Sequence, residues 1–434
     1  MESKIPESGY FIRICKTYLC PLNYNKMKKH LFYAITVFLL AFTACKKSSP
    51  SDEEIPEGEI EFSDLEVNQH KQNLEKAGID FVNKINTLPD EKFVDVLDYL
   101  STLNLGLNSE GSVASILAIN KAAETKNLKG VFSALATVAP ETNRLSELYG
   151  VYTYNKNSGD WDKTASNSKL EFIFPSSPNG GAASAKLTFT YATSGATTTV
   201  DGESFELPTS VSASLVADGI EEVKLTSTYE YKNDGTPSKA DVVLRLGSFT
   251  FSTNVSNTVS DATTSLSVKK GTETLISFSA NANGNMSIGS AEDLDDDIDS
   301  FVKNANASFE IMNIQLTGQV DIKKFREATD AINYNQEESV TIKLEADALN
   351  ANSRLVAINK DDNKAIAKLV FEGYSDTDCY EYWNGQANER YCYTSTFLEP
   401  RLVFKDGAPL AFDSFFDNGF GGLIDELEEL GDKF

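Results

Sequence analysis

The sequence predicts an α+β protein that is mainly β, with an N-terminal helical segment leading into long-stranded antiparallel meander sheets, curved or half-barrel in form. Three observations carry this. Apolar residues in 61–148 recur at helical intervals. From Leu148 onward Ser, Thr, Val, Phe and Tyr alternate between turn residues. The alternating runs reach ten to twelve residues, long against the usual 5–6, and strands of that length twist strongly.

In chain order, "FVNKINTLPDEKFVDVLDYLSTL" spaces Phe93, Val96, Leu97 and Leu100 for one helix face, with Pro89-Asp90 opening the helix. A second helical stretch starts at Ser112, breaks near Gly130 and ends at Pro140. Expected strands follow at 149–155, 169–175, 185–192, 205–216, 221–232, 239–246, 248–257, 262–269 and 273–281. Asp218-Gly219, "NDGTP" at 233–237 and Lys270-Gly271 punctuate them with tight-turn chemistry. Short connections require antiparallel neighbours, because parallel pairs need long crossovers. Residues 149–290 thus read as one β-meander and 291–434 as a second β-rich part. That part is expected to hold strands at 307–321, 339–349, 353–359, 364–374, 378–383, 389–397 and 401–405. A short helix is expected near 323–332 and an amphipathic helix at the C-terminus.

The N-terminus carries an address. Leu31 to Phe42 is apolar apart from Tyr33 and Thr36, and Lys28, Lys29 and His30 stand just before it. Such a run suits a secretion leader and is short for a membrane span of roughly 20 residues. It ends in Phe42-Thr43-Ala44-Cys45. This stretch resembles the lipobox of bacterial lipoproteins, with Phe42 where leucine is usual. The resemblance implies cleavage before Cys45 and acylation of its thiol, with palmitate for example. On that reading 1–26 is an over-extended start ahead of Met27, 27–44 is the signal peptide, and 45–60 is a flexible tether rich in Ser, Pro and charge. The acidic "SDEE" of 51–54 also resembles the surface-export tag of Bacteroidota lipoproteins. Its acids lie farther from Cys45 than is usual there, so outer-membrane surface display, the favoured outcome, and periplasmic retention both stay open.

The whole chain has 39 basic and 64 acidic residues. Residues 1–44 hold six and two of these, leaving 33 and 62 and a net charge near −29. That charge repels nucleic acid and anionic surfaces, but leaves attachment through acyl chains open. Of five cysteines, Cys15 and Cys20 precede Met27 and Cys45 is the lipid site. Cys379 and Cys392 remain, and an oxidising compartment predicts their disulfide. One antiparallel register of "CYEYWNGQANERYCY" sets Cys379 against Cys392, Tyr380 against Tyr391, Glu381 against Arg390 and Tyr382 against Glu389. Alternation puts the bridge and an expected Glu381–Arg390 ion pair on one face and the stacked tyrosines on the other. The bond closes a loop of about 14 residues, worth roughly 3 kcal/mol.

Catalytic constellations are sparse. Beyond the leader the only histidine is His70, read as a solvated helix residue. Cys/His zinc chemistry lacks ligands. The run Asp293, Asp295, Asp296, Asp297, Asp299 resembles a calcium loop only in part. Ile298 stands where its glycine belongs and Asn304 where its closing glutamate belongs. Favourable placement at a helix start explains these acids without metal, so no metal or cofactor is expected.

The leading expectation is therefore a non-enzymatic, lipid-anchored extracytoplasmic binding or accessory protein. Its cargo is either a hydrophobic molecule held by a curved sheet or a glycan stacked on Tyr380, Tyr382, Trp383, Tyr391 and Tyr393. The plainer role of those aromatics is to rigidify the hairpin, and that of the apolar sheet face is to form the core under the helices. A surface adhesin or pilus-like subunit is the alternative, and an acidic glycosidase using paired carboxylates is third.

Overall fold

Two-residue turns whose first residue takes a left-handed φ set this fold. Asp218 (φ 51°) and Gly219 (φ 85°) make one, Gly247 (φ 55°) opens a second and Gly271 (φ 59°) a third. Such turns match the right-handed twist of the strands they join and force each strand back beside its predecessor.

The computed structural model describes residues 61–103, 112–124, 131, 148–200, 203–232, 237–284, 302–383, 388–416 and 420. Its strands are β1 (Gly150–Asn155), β2 (Asp160–Thr164), β3 (Leu170–Phe174), β4 (Ala185–Val200), β5 (Glu203–Ala217), β6 (Ile220–Tyr231), β7 (Pro237–Leu246) and β8 (Phe249–Asn257). The chain continues through β9 (Asp261–Lys270), β10 (Glu273–Gly284), β11 (Val302–Ile311), β12 (Ile314–Asp321), β13 (Ser353–Asn359), β14 (Lys364–Trp383), β15 (Asn388–Val403) and β16 (Pro409–Ala411). All sixteen belong to one open, mainly antiparallel sheet that runs in sequence order from β16 to β3 and then to β1 and β2. Parallel pairing of β1 with β3 interrupts the alternation. The boundary expected at 291 falls between β10 and β11, which are direct neighbours.

The helices are α1 (Val67–Ile85), α2 (Lys92–Thr102), α3 (Ser112–Glu124), α4 (Ile322–Asp330), α5 (Glu338–Asn352) and α6 (Phe412–Phe416). Phe93, Val96, Leu97 and Leu100 form the buried face of α2, as their spacing predicts. They pack with Phe172, Phe174, Phe189, Leu215, Leu244, Phe249 and Phe251 in one large apolar cluster. A second cluster joins Ile314, Ile366, Ala367, Leu402, Phe404, Phe415 and Phe420.

Helix α1 belongs to both clusters. Phe81, Val82 and Ile85 enter the first, while Val67, Leu74 and Ala77 enter the second. Its 19 residues span about 28 Å at 1.5 Å each, the width of roughly six strands. Lys84 pairs with Glu273 at 2.5 Å where the helix passes the β9–β10 turn.

Several expectations are corrected. Residues 307–321 form two strands, because the chain turns at Met312 (φ 54°) and Asn313, and nothing in a methionine advertises a left-handed turn. Residues 339–349 are helical rather than extended. The β-branched Val340-Thr341-Ile342 suggested a strand, but the helix formers after it and the burial of Thr341, Ala346 and Ala348 decide for α5. The two strands expected at 364–374 and 378–383 are one, β14, and those expected at 389–397 and 401–405 merge in β15. The short helix near 323–332 is α4, N-capped by the Asp321 side chain, which accepts from the Lys324 N–H at 2.9 Å. The acidic run Asp293–Asp299, Cys45 and the C-terminal amphipathic stretch lie outside the described residues.

His70 is also corrected: it is 3% exposed, its ring 6.1 Å from that of Phe404. The strap-like path of α1 turns it into the second cluster. Burial holds its pKa below the ordinary value, with the Asp362 charge working the other way. The fold thus prefers neutral His70 while the unfolded chain takes up the proton at its usual pKa. This contribution is present above pH ~6.5 and is lost as pH falls below it. His70→Phe should therefore lose less stability than wild type between pH 7.5 and 5.5, measured by urea denaturation. An identical loss in both proteins contradicts the assignment.

Candidate ligand-contact ribbon

Strands β14 and β15 outgrow their neighbours. β13 pairs with β14 between Lys364 and Leu369, and β16 pairs with β15 between Arg401 and Val403. Between these limits and the tip, β14 and β15 pair with each other in an unbroken register from Lys368↔Val403 to Trp383↔Asn388. Residues 370–383 and 388–400 therefore make a two-stranded ribbon projecting from the sheet. Isolated two-stranded ribbons are marginal in water, so this one needs its own fastenings.

Three lie at its base. Gly373 lies against α5: a Cβ there would come within 2.9 Å of the Lys343 backbone nitrogen and of Ile342. The Asn350 side chain, on the same helix, donates to the Phe371 carbonyl at 2.7 Å and accepts from the Phe371 N–H at 2.8 Å. It satisfies the backbone groups that a longer β13 would have bonded. Arg401 pairs with Glu372 at 3.1 Å and Glu399 at 2.7 Å.

Farther out, Cys379 and Cys392 form the expected disulfide, with Cα atoms 4.0 Å apart. On the same face the hydroxyls of Thr377 and Thr394 share a hydrogen bond of 2.9 Å. Glu381 and Arg390 stand opposite each other as expected, yet among the described residues they form no ion pair. Both are exposed, where such a pair is worth ~0–1 kcal/mol and little holds it together.

The other face is aromatic and acidic. Tyr380 and Tyr391 pack across the strands with rings tilted by 51° and centroids 5.4 Å apart, and Tyr374 and Phe397 do the same at 55° and 5.2 Å nearer the base. Tyr393 joins them, its hydroxyl 3.4 Å from the Asp378 carboxylate, whose charge holds the phenol above its ordinary pKa. Exposures of 52% for Tyr380, 50% for Tyr391, 45% for Tyr393 and 41% for Tyr374 are high for aromatic side chains. Tyr382 and Trp383 pair by backbone with Glu389 and Asn388, and their side chains lie outside the described residues. Sequence reasoning missed Tyr374, Phe397, Asp376 and Asp378, because Ser375-Asp376-Thr377 read as a break between strands. Continuing the even-numbered alternation back from Tyr380 would have found them.

Comparison with protein-family models, curated proteins and solved structures gives no match for this chain. What the ribbon can do follows from its own chemistry. Flat exposed rings beside carboxylates offer stacking and hydrogen-bond acceptance together, with no lysine or arginine among the paired residues of that face from Tyr374 to Tyr380.

The disulfide's role in the ribbon is testable. Converting Cys379 and Cys392 together to serine should make trypsin cut after Arg390 at least tenfold faster, with the intact sheet still resistant. Equal cleavage rates with and without the bridge would show that the ribbon holds itself together by other means.

Proposed function

We propose that this is a lipid-anchored extracytoplasmic binding protein of the outer membrane, displayed at the cell surface, whose ribbon stacks glycans on its tyrosine face. The observation that carries the reading is the exposed cluster of Tyr374, Tyr380, Tyr391 and Tyr393 on a ribbon that no other described element covers. The inward apolar side chains of β3–β9 already pack against α1–α3, so a hydrophobic cargo has less support. A twisted sheet of sixteen strands is read as curving around that helical layer.

Geometry supports the anchoring. The chain reaches the sheet at Phe62, which bridges to Ala365 near the inner end of β14. From Ala365 to Trp383 the strand runs 18 residues, about 60 Å at ~3.3 Å each. Acyl chains on Cys45 would hold the membrane near one end of β14 and leave the tyrosines at the other. The acidic surface favours stand-off from an anionic bilayer.

A surface adhesin or pilus-like subunit is the second reading, favoured by the outer edge of β14, which no strand pairs beyond Leu369 among the described residues.

Two measurements test the first reading. Cys45→Ala should abolish palmitate labelling and release the protein from the membrane fraction; an equally membrane-bound variant removes the anchor. On a glycan array, Tyr380→Ala/Tyr391→Ala should retain about tenfold less than wild type, a loss of ~1.4 kcal/mol. A wild type that retains nothing, or a variant that retains as much, rejects the tyrosine face as the contact.

A further inference from the structure

The ribbon also presents a free backbone edge, which is distinct from its tyrosine face. Asn350 shows which way that edge points, since it bonds both the N–H and the C=O of Phe371 from the side away from β15. In an antiparallel strand these groups alternate in direction with a period of two. The register of β14 with β15 has no irregularity, so Ser375, Thr377, Cys379 and Glu381 turn their N–H and C=O groups the same way as Phe371. The close Cα spacing of the Cys379–Cys392 pair agrees, because narrow pairs are those not bonded to each other. Beyond Gly373 no helix stands beside this edge among the described residues, and Ser375 to Glu381 are all exposed.

Charge selects what can dock there. From Leu369 to Trp383, β14 carries Glu372, Asp376, Asp378 and Glu381 and no lysine or arginine. A second copy pairing β14 with β14 would bring these acids together across strands, where like charges oppose association. An incoming strand bearing basic residues would instead set them beside Asp376 and Asp378, with Tyr374 and Tyr380 near enough for cation–π contact.

We infer that the β14 edge from Ser375 to Glu381 is a docking site for an extended, lysine- or arginine-bearing polypeptide segment, which adds to the ribbon as a third strand. The acids supply attraction and the four outward residues supply the backbone hydrogen bonds. The backbone hydrogen bonds and carboxylates that carry this contact are different atoms from the rings of the glycan stacking proposed above, so it stands or falls separately.

The probe is a fluorescently labelled Lys-Val repeat of eight residues, followed by anisotropy with the full-length oxidised protein. Two control peptides accompany it, one with Glu for Lys and one with every backbone nitrogen methylated. The Lys-Val peptide should bind at least tenfold tighter than either control, and its binding should protect the amides of Ser375, Thr377, Cys379 and Glu381 from exchange. Thr377→Pro removes one outward N–H without touching the ladder to β15 and should weaken binding about tenfold. Asp376→Asn/Asp378→Asn should weaken it several-fold with a shallower salt dependence, whether or not the proline variant folds. Tyr380→Ala/Tyr391→Ala should keep most of the peptide affinity. Equal binding of the methylated peptide would mean charge adsorption alone and overturns the inference. Unprotected edge amides overturn it as well. So does a dimer in sedimentation that Thr377→Pro dissolves, since the occupant is then a second copy.

Discussion

The apolar face of the sheet has to be covered, and one helix laid across it meets much of that demand. An antiparallel sheet covered on one side has an apolar and a polar face, and here sixteen strands stand side by side, nearly all of them antiparallel to their neighbours. Local hairpin contacts hold each strand to its neighbours but do nothing to join one end of the sheet to the other. Helix α1 ties together the part of the sheet it crosses, about six strands wide, by placing Phe81, Val82 and Ile85 in one apolar cluster and Val67, Leu74 and Ala77 in the next. His70 is drawn into the interior by this path, and its burial follows from the crossing.

The ribbon is where that rule stops applying. Past Leu369 and before Arg401 the two arms leave the sheet, and α5 fastens their base at Phe371 and Gly373. A disulfide, a threonine pair and packed tyrosines replace the missing core. Tyr374, Tyr380, Tyr391 and Tyr393 stay between 41% and 52% exposed, and that cost in aromatic surface makes sense if a ligand covers them. Polar atoms left open on one edge give the same segment a second means of contact. Both possibilities come from strand length alone, through the mismatch between β14–β15 and the strands beside them.

Much of this was legible in the sequence where local chemistry and tertiary structure agree. Asp218-Gly219 and Lys270-Gly271 turn where expected, the α2 face is the one its spacing marks, and Cys379, Tyr380 and Glu381 meet the partners that the pairing pattern implies. Legibility failed where the deciding force was not local. Val340-Thr341-Ile342 favours a strand until the packing of α5 on β14 overrides it. Met312 turns the chain because Ile311 and Ile314 on either side of it are both drawn into the apolar clusters. Ser375-Asp376-Thr377 has the composition of a turn but lies inside a strand whose pairing with β15 carries straight through. The brief β2 was missed because "DWDKT" has almost no apolar face to reveal it.

Beyond Leu369 and Arg401, β14 and β15 stand free of the sheet as a two-stranded ribbon, and the outer edge of β14 is open among the described residues. Residue-resolved amide exchange of the oxidised protein tests it most directly. Exchange should alternate along β14, slow at Tyr374, Asp376, Asp378 and Tyr380 and fast at Ser375, Thr377, Cys379 and Glu381. Uniform protection along both sets would mean that a further strand or a second molecule already occupies the edge, and uniform lack of protection would mean that no ribbon forms.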